Sequence, residues 1–282
     1  MGVKIVCDST AYLPQEYIEK YDIKVISVNV VLDNKSYREV DLDNVTFYEM
    51  MESTKEFPKS AQPAMTEMME AFETPLKNGD DLLVILMSSE LSGTFSTANM
   101  IKNELLEEYP DRKIEVVDSK TTCMEMGLRV VECAKAAMEG ATLEEAMKVG
   151  EAVSENSKFL FTPATLDYLK KGGRIGGASA LFGGILKIRP ILTVKDGKVS
   201  VIEKVRTQAK AVNEIINMFK KELSEKSLGG IVIHHINCKD EAIKISEAFK
   251  EDLGLDVTIG DIGPVIGVHV GPGALGIAYF LK

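Results

Sequence analysis

The sequence predicts an α/β protein made of two α/β domains, the first with a mainly parallel sheet and the second with a mixed one. Three observations lead there. Through the first half, short apolar runs such as Asp81-Leu82-Leu83-Val84-Ile85-Leu86-Met87 alternate with amphipathic stretches of helical period. In the second half, Asp196-Gly197 between two apolar runs signals a hairpin and hence antiparallel pairing. The chain has 282 residues, 45% of them hydrophobic, which is enough for one large core or two smaller ones. The character shifts near 156–158, so the domains are placed at 1–157 and 158–282, with a cleft between them as the default site.

Taken in order, Val3 to Cys7 is a strand that ends in the polar loop Asp8-Ser9-Thr10. Pro14 suits the first turn of a helix carrying Tyr17, Ile18 and Tyr21. The stretch 24–32 reads as one strand, turned back by Asp33-Asn34 into Ser36-Tyr37-Arg38. Thr46 is expected to cap a short helix with Phe47, Met50 and Met51 inward. Pro63 biases Gln62 toward extended backbone, so 57–64 is a stiff, non-helical arm. A Met-rich helix follows over 66–77, then the strand 81–87.

After Ser88-Ser89-Glu90-Leu91-Ser92-Gly93-Thr94, the residues Phe95, Ala98, Ile101, Leu105 and Leu106 share one helical face. A strand over 113–117, a helix over 122–138 and the capping box Thr142-Leu143-Glu144-Glu145 complete a β-α-β-α order. The second half offers the strand Phe159-Leu160-Phe161, a helix over 163–171 closed by Gly172-Gly173, and a glycine-punctuated apolar segment over 178–187. The hairpin 189–205, helices over 208–223 and 240–253, and strands over 231–235 and 256–262 follow. The last strands, 265–270 and 275–281, flank Gly271-Pro272-Gly273.

Bulk properties exclude several classes. Net charge is −10, against a broad nucleic-acid footprint, which needs a basic surface. No apolar run reaches a membrane span and no signal peptide opens the chain, so a cytoplasmic protein without stable membrane insertion is expected. Cys7, Cys123, Cys133 and Cys238 are scattered, which suits reduced thiols and neither a disulfide frame nor a zinc site.

The loop 88–94 joins a buried strand to a helix, where ligands gather in open α/β sheets. Its hydroxyls beside free helix N–H groups suit a carboxylate or phosphate; they equally suit a helix cap with spare serines. Ser60 and Gln62 either line a cleft or sit on an exposed turn. His269 lies in a very apolar stretch before glycines, and is either a ligand contact or a satisfied core histidine. His234-His235 followed by Asn237-Cys238 suggest a metal site, but adjacent residues on a strand point to opposite faces, so the two imidazoles do not easily share one ion. Lys170-Lys171-Gly172-Gly173-Arg174 either binds phosphate or answers a helix dipole, and it is no Walker loop.

Together these segments resemble the DegV family of bacterial fatty-acid-binding proteins. The resemblance rests on Asp8-Ser9-Thr10-Ala11, Lys59-Ser60-Ala61-Gln62-Pro63 and the Ser-Gly-Thr loop Ser92-Gly93-Thr94. It rests too on Tyr168-Leu169-Lys170-Lys171-Gly172-Gly173-Arg174-Ile175, Leu186-Lys187-Ile188-Arg189-Pro190 and His269-Val270-Gly271-Pro272-Gly273. It implies a long-chain fatty acid in a tunnel between two α/β domains, with its carboxylate on Ser60, Ser92 and His269. Gln62, Ser89, Gly93, Thr94 and Gly271 would support that site. No cofactor and no metal are expected.

The family arm begins Thr-Ser where this chain has Ser60-Ala61, so a neighbouring donor is missing. The resemblance also implies a partner, a fatty acid kinase that phosphorylates the bound carboxylate, which makes this chain a substrate-binding subunit and not itself an enzyme. Arg206 falls on the basic position presented to the partner or phosphoryl group, and Arg174 is a further candidate for that surface. A tight Arg clamp would neutralise the attacking oxygen, so a hydroxyl and histidine head-group site is expected. The rival reading is an esterase or acyltransferase with Ser92 as nucleophile and His269 as base, although G-x-S-x-G is absent.

Overall fold

The computed structural model describes residues 2–54, 56–181 and 188–282. The first part of the chain runs β1 (Val3–Asp8), α1 (Gln15–Lys20), β2 (Lys24–Ile26), β3 (Asn29–Leu32), β4 (Lys35–Arg38), α2 (Asn44–Ser53), β5 (Lys59–Ala61), α3 (Met65–Lys77), β6 (Asp81–Leu86), α4 (Thr94–Glu108), β7 (Ile114–Asp118), α5 (Cys123–Met138) and α6 (Leu143–Glu155). It continues through β8 (Ser157–Thr162), α7 (Asp167–Lys171), β9 (Arg189–Lys195), β10 (Lys198–Val205), α8 (Gln208–Leu223), β11 (Leu228–His235), α9 (Lys239–Leu253), β12 (Thr258–Asp261), α10 (Pro264–Val270) and β13 (Leu275–Leu281).

These strands form a parallel sheet in the order β2-β1-β6-β7 and a mixed sheet in the order β10-β9-β8-β13-β11-β12. A small antiparallel sheet, β4-β3-β5, stands apart from both.

Strand alternation sorts side chains into three cores. Val6, Leu82, Val84 and Leu86 face α3 and α4 with Met68, Phe72 and Ile101. Leu160, Ile277, Tyr279 and Leu281 face α8 and α9 with Phe219 and Phe249. The opposite faces, Ile5, Cys7, Leu83 and Ile85 from the parallel sheet and Phe159, Phe161, Ala278 and Phe280 from the mixed one, share a central core. The buried helix α5 contributes Met124, Met126 and Val130 to it. Both sheets are therefore covered on two faces, with one common interior.

Several expected elements differ. The run 24–32 is two strands in different sheets. It breaks at Ser27-Val28, whose N–H groups leave the ladder for Glu67 Oε1 at 2.9 Å and Ser9 Oγ at 3.1 Å. Asp43, not Thr46, caps α2, since its carboxylate accepts the Thr46 N–H at 2.9 Å. Tyr48 is buried in α2 where Met50 is only half-buried. The helix expected over 163–171 shortens to α7, because Thr165 and Asp167 close a local side-chain turn first. The arm 57–64 is non-helical and contains the edge strand β5, paired with β3. The segment 265–270 is not a strand but the buried helix α10, with Pro264 in its first turn. A stretch of seven residues, nearly all apolar, is too short for periodicity to separate helix from strand. Of the apolar segment 178–187 and the motif 186–190, residues 182–187 lie outside the described residues.

Candidate functional site

Four chain segments converge where the central core is incomplete. The arm strand β5 brings Ser60 and Gln62, the loop after β6 brings Leu91, Ser92 and Gly93, α10 brings His269, and the turn after α7 brings Arg174. They line a cavity of about 210 Å³ whose remaining wall is mostly apolar, including Phe159, Phe161, Val194, Val199, Ile262 and Val270.

The position of His269 is built from behind. Glu39 is 5% exposed, and its carboxylate accepts hydrogen bonds from Val265 N–H and Tyr12 Oη–H, each at 2.8 Å, and from Ser9 Oγ–H at 2.5 Å. Tyr12 Oη in turn accepts the Ile266 N–H at 3.2 Å. The first turn of α10 is thus held to the loop after β1, and its last turn delivers the imidazole. Burial raises the Glu39 carboxyl to about 7 against the pull of these donors. The loop after β6 is pinned similarly: Asp8 accepts the Met87 N–H at 2.7 Å, and Ser88 Oγ–H donates to the Gly197 carbonyl at 2.9 Å.

At the site, Ser60 Oγ lies 2.7 Å from His269 Nε2. Burial first, and the nearby Arg174 guanidinium second, push His269 down to about 4, so the imidazole is neutral at neutral pH. Its Nδ1 is buried with no hydrogen-bond partner among the described residues. Gly172 permits this packing, since a Cβ there would stand 2.3 Å from Nδ1. Arg174 is fixed by the carbonyls of Gly172 at 2.7 Å and Leu91 at 3.2 Å. Ser92 Oγ is 2.8 Å from Thr94 Oγ1 and accepts the Thr94 N–H at 3.3 Å. Gln62 accepts the Thr97 hydroxyl at 2.6 Å. The arrangement offers an anion one guanidinium, two hydroxyls and a neutral imidazole, beside a wall that suits a hydrocarbon.

A comparison of the whole chain decides the family. Residues 2–282 match the model described as "Uncharacterised protein, DegV family". The chain belongs to the DegV family. It is 47% identical over 282 residues to a DegV domain-containing protein of Clostridium acetobutylicum, covering 100% of this chain and 99% of that one. Among solved DegV structures it resembles the fatty acid binding protein DegV of Bacillus subtilis, at 31% identity and a TM-score of 0.89, with 100% of each chain covered. It also resembles a stearic acid-binding protein of Eubacterium ventriosum, at 29% identity and a TM-score of 0.89, covering 99% of this chain and 98% of that one.

Against this DegV fold the sequence-expected residues sort clearly. Ser60, Gln62, Ser92, Gly93, His269 and Arg174 line one cavity. Ser89 does not: it is exposed, and its hydroxyl and N–H both go to Asp118. Thr94 is buried behind Ser92. Gly271 takes a φ of +86° at the end of α10, where a Cβ would strike the Tyr168 ring, so its part is to turn the chain. Arg206 is exposed at the junction of β10 and α8, away from the cavity lining. Arg174, a candidate for the partner surface, is among the cavity-lining residues, and its guanidinium donates to the carbonyls of Gly172 and Leu91.

The pairing of Ser92 with His269 is not formed; Nε2 faces Ser60. Among the described residues no cluster of three or more metal-ligating side chains is found, and His235 turns to Asp261 at 3.3 Å while His234 lines the cavity. Glu39, Tyr12 and Asp8 were missed as positioning residues. Asp8 opens the motif Asp8-Ser9-Thr10-Ala11, and no local pattern in the sequence marks Glu39.

Proposed function

We propose that this chain binds one long-chain fatty acid in the cavity, with the carboxylate at Ser60, Ser92 and His269 and the acyl chain along the apolar wall. The observation that carries the reading is a mostly apolar cavity whose lining brings together a buried neutral histidine, two serines and Arg174. Each buried methylene contributes on the order of 0.8 kcal/mol, so the tail supplies most of the affinity. The head group needs only enough donors to avoid an unpaired buried charge. Gln62, Gly93 and Thr94 support the serines, and Arg174 adds the cation.

In this reading the chain is a non-catalytic carrier in the cytoplasm, and a fatty acid kinase phosphorylates the bound carboxylate. Exposed Arg206 meets that kinase or the phosphoryl group, while Arg174 stays at the cavity. The chain divides at 157/158, the ligand lying between domains 1–157 and 158–282. Among the described residues no helix is long and apolar enough to cross a membrane, which fits binding without membrane insertion.

Native mass spectrometry of the purified protein, with and without added palmitate or oleate, tests the reading. One fatty acid mass per chain is expected. Its absence after lipid addition would overturn the proposal. The 2.7 Å contact of Ser60 with His269 favours a second reading, a serine hydrolase of acyl esters. Among the described residues no acid partners Nδ1 to orient the imidazole. Turnover of a chromogenic acyl ester that vanishes in Ser60→Ala would favour the hydrolase and remove the carrier-only reading.

A further inference from the structure

The helix α5 is capped by a residue from another part of the chain. Thr142 and Thr207 stand at the N-caps of α6 and α8, and each hydroxyl accepts an N–H from the first turn of its helix. Thr122 holds the same position on α5 and makes no such bond. An N–H it would take, that of Met124, donates instead to His234 Nε2 at 3.1 Å. His234 Nδ1 lies 3.0 Å from the Gly260 carbonyl, so Nδ1 carries the proton and Nε2 the accepting lone pair.

The Thr122 hydroxyl is thereby left over. Thr122 is 4% exposed, its Oγ1 has no hydrogen-bond partner of normal geometry among the described residues, and it lines the same cavity as His234. Its neighbour is the adjacent Cys123 thiol, a weak hydrogen-bonding group that meets it outside the geometry of the bonds described above. A buried hydroxyl with only a thiol beside it is poorly satisfied, and a ligand atom that pairs with it removes much of that cost.

Resting on the fatty-acid reading above, we propose that Thr122 is a second polar contact in the cavity wall, one that selects long-chain fatty acids carrying a hydroxyl group along the chain. Such a hydroxyl is both donor and acceptor, so it pairs with Thr122 whichever way the threonine proton points. A methylene offers neither, and a double bond offers only a weak π face.

The test is competition by native mass spectrometry between stearate and each member of the positional series of monohydroxystearates, with an oleate arm. In the parent protein at least one position outcompetes stearate by roughly fivefold, the size of one net hydrogen bond. In Thr122→Val that ratio falls to about one, and in Thr122→Ser, which keeps the hydroxyl, the preference returns. Stearate equal or superior at every position, a preference that survives Thr122→Val, or an equal gain by oleate would each overturn the proposal. Failure of the parent to take up stearate at all would instead withdraw the fatty-acid reading, and this one with it.

Discussion

Two buried polar groups flank α10, and they are built to opposite rules. Behind its first turn Glu39, and beside the loop after β6 Asp8, have every carboxylate oxygen occupied by a donor from the protein. At its last turn, His269 keeps one nitrogen on Ser60 and has no partner for the other among the described residues. Satisfied buried networks hold geometry, while unsatisfied ones are unfinished until something binds or are kept at a cost to stability. The contrast marks the loop after β1 as scaffolding and supports the proposed head-group role of the Ser60–His269 end.

The largest effect is expected from breaking the scaffold. Glu39→Leu strands the Val265 N–H and the Tyr12 and Ser9 hydroxyls in the interior. We expect a loss on the order of 4 kcal/mol in urea unfolding. A loss under about 1 kcal/mol would show that the network does not hold α10.

The next effect is on pH dependence, where the two groups act in opposite directions. Glu39 is raised from its ordinary 4.5 to about 7, so the folded protein keeps a proton that the unfolded chain has lost. Its contribution to stability is complete below pH 4.5 and is lost as pH rises through about 7. His269 and His234 are each lowered from 6.5 to about 4, so their contribution is complete above pH 6.5 and is lost as pH falls through about 4. Each transition amounts to at most about 3 kcal/mol. Glu39→Gln should flatten the neutral limb of the stability profile, and His269→Gln should weaken the acid limb while leaving the His234 part. Superimposable profiles for parent and Glu39→Gln would contradict the assignment.

At the ligand end, smaller changes are expected because the tail dominates affinity. Ser60→Ala or His269→Ala should weaken palmitate binding by about tenfold, by titration calorimetry. Smallest of all, Arg174→Met should raise the His269 pKa, since the guanidinium helps to depress it. Imidazole NMR against pH reads this directly, and an unmoved titration would remove Arg174 from the site.

The parallel sheet, the Asp196-Gly197 hairpin and the Thr142 capping box were legible in the sequence because each depends on local pattern or turn chemistry. The convergence of Ser60, Ser92 and His269 on one cavity was legible only through motifs spread along the whole chain, since they are 32 and 177 residues apart in sequence. What was not legible depends on partners distant in sequence. The split of 24–32 needs Ser9 and Glu67. The helical state of α10 fits the hold of Glu39, 226 residues away, on the Val265 N–H. Arg174 reads as a surface cation until the carbonyls of Gly172 and Leu91 turn it inward.

The central claim is that an anionic head group rests against Ser60 and His269. Carboxyl-labelled palmitate observed by carbon NMR tests it most directly. The account predicts one bound carboxyl resonance, distinct from free palmitate, whose position shifts in Ser60→Ala and in His269→Ala while lipid stays bound. A bound resonance identical in the parent and both variants would place the carboxylate elsewhere and contradict the account.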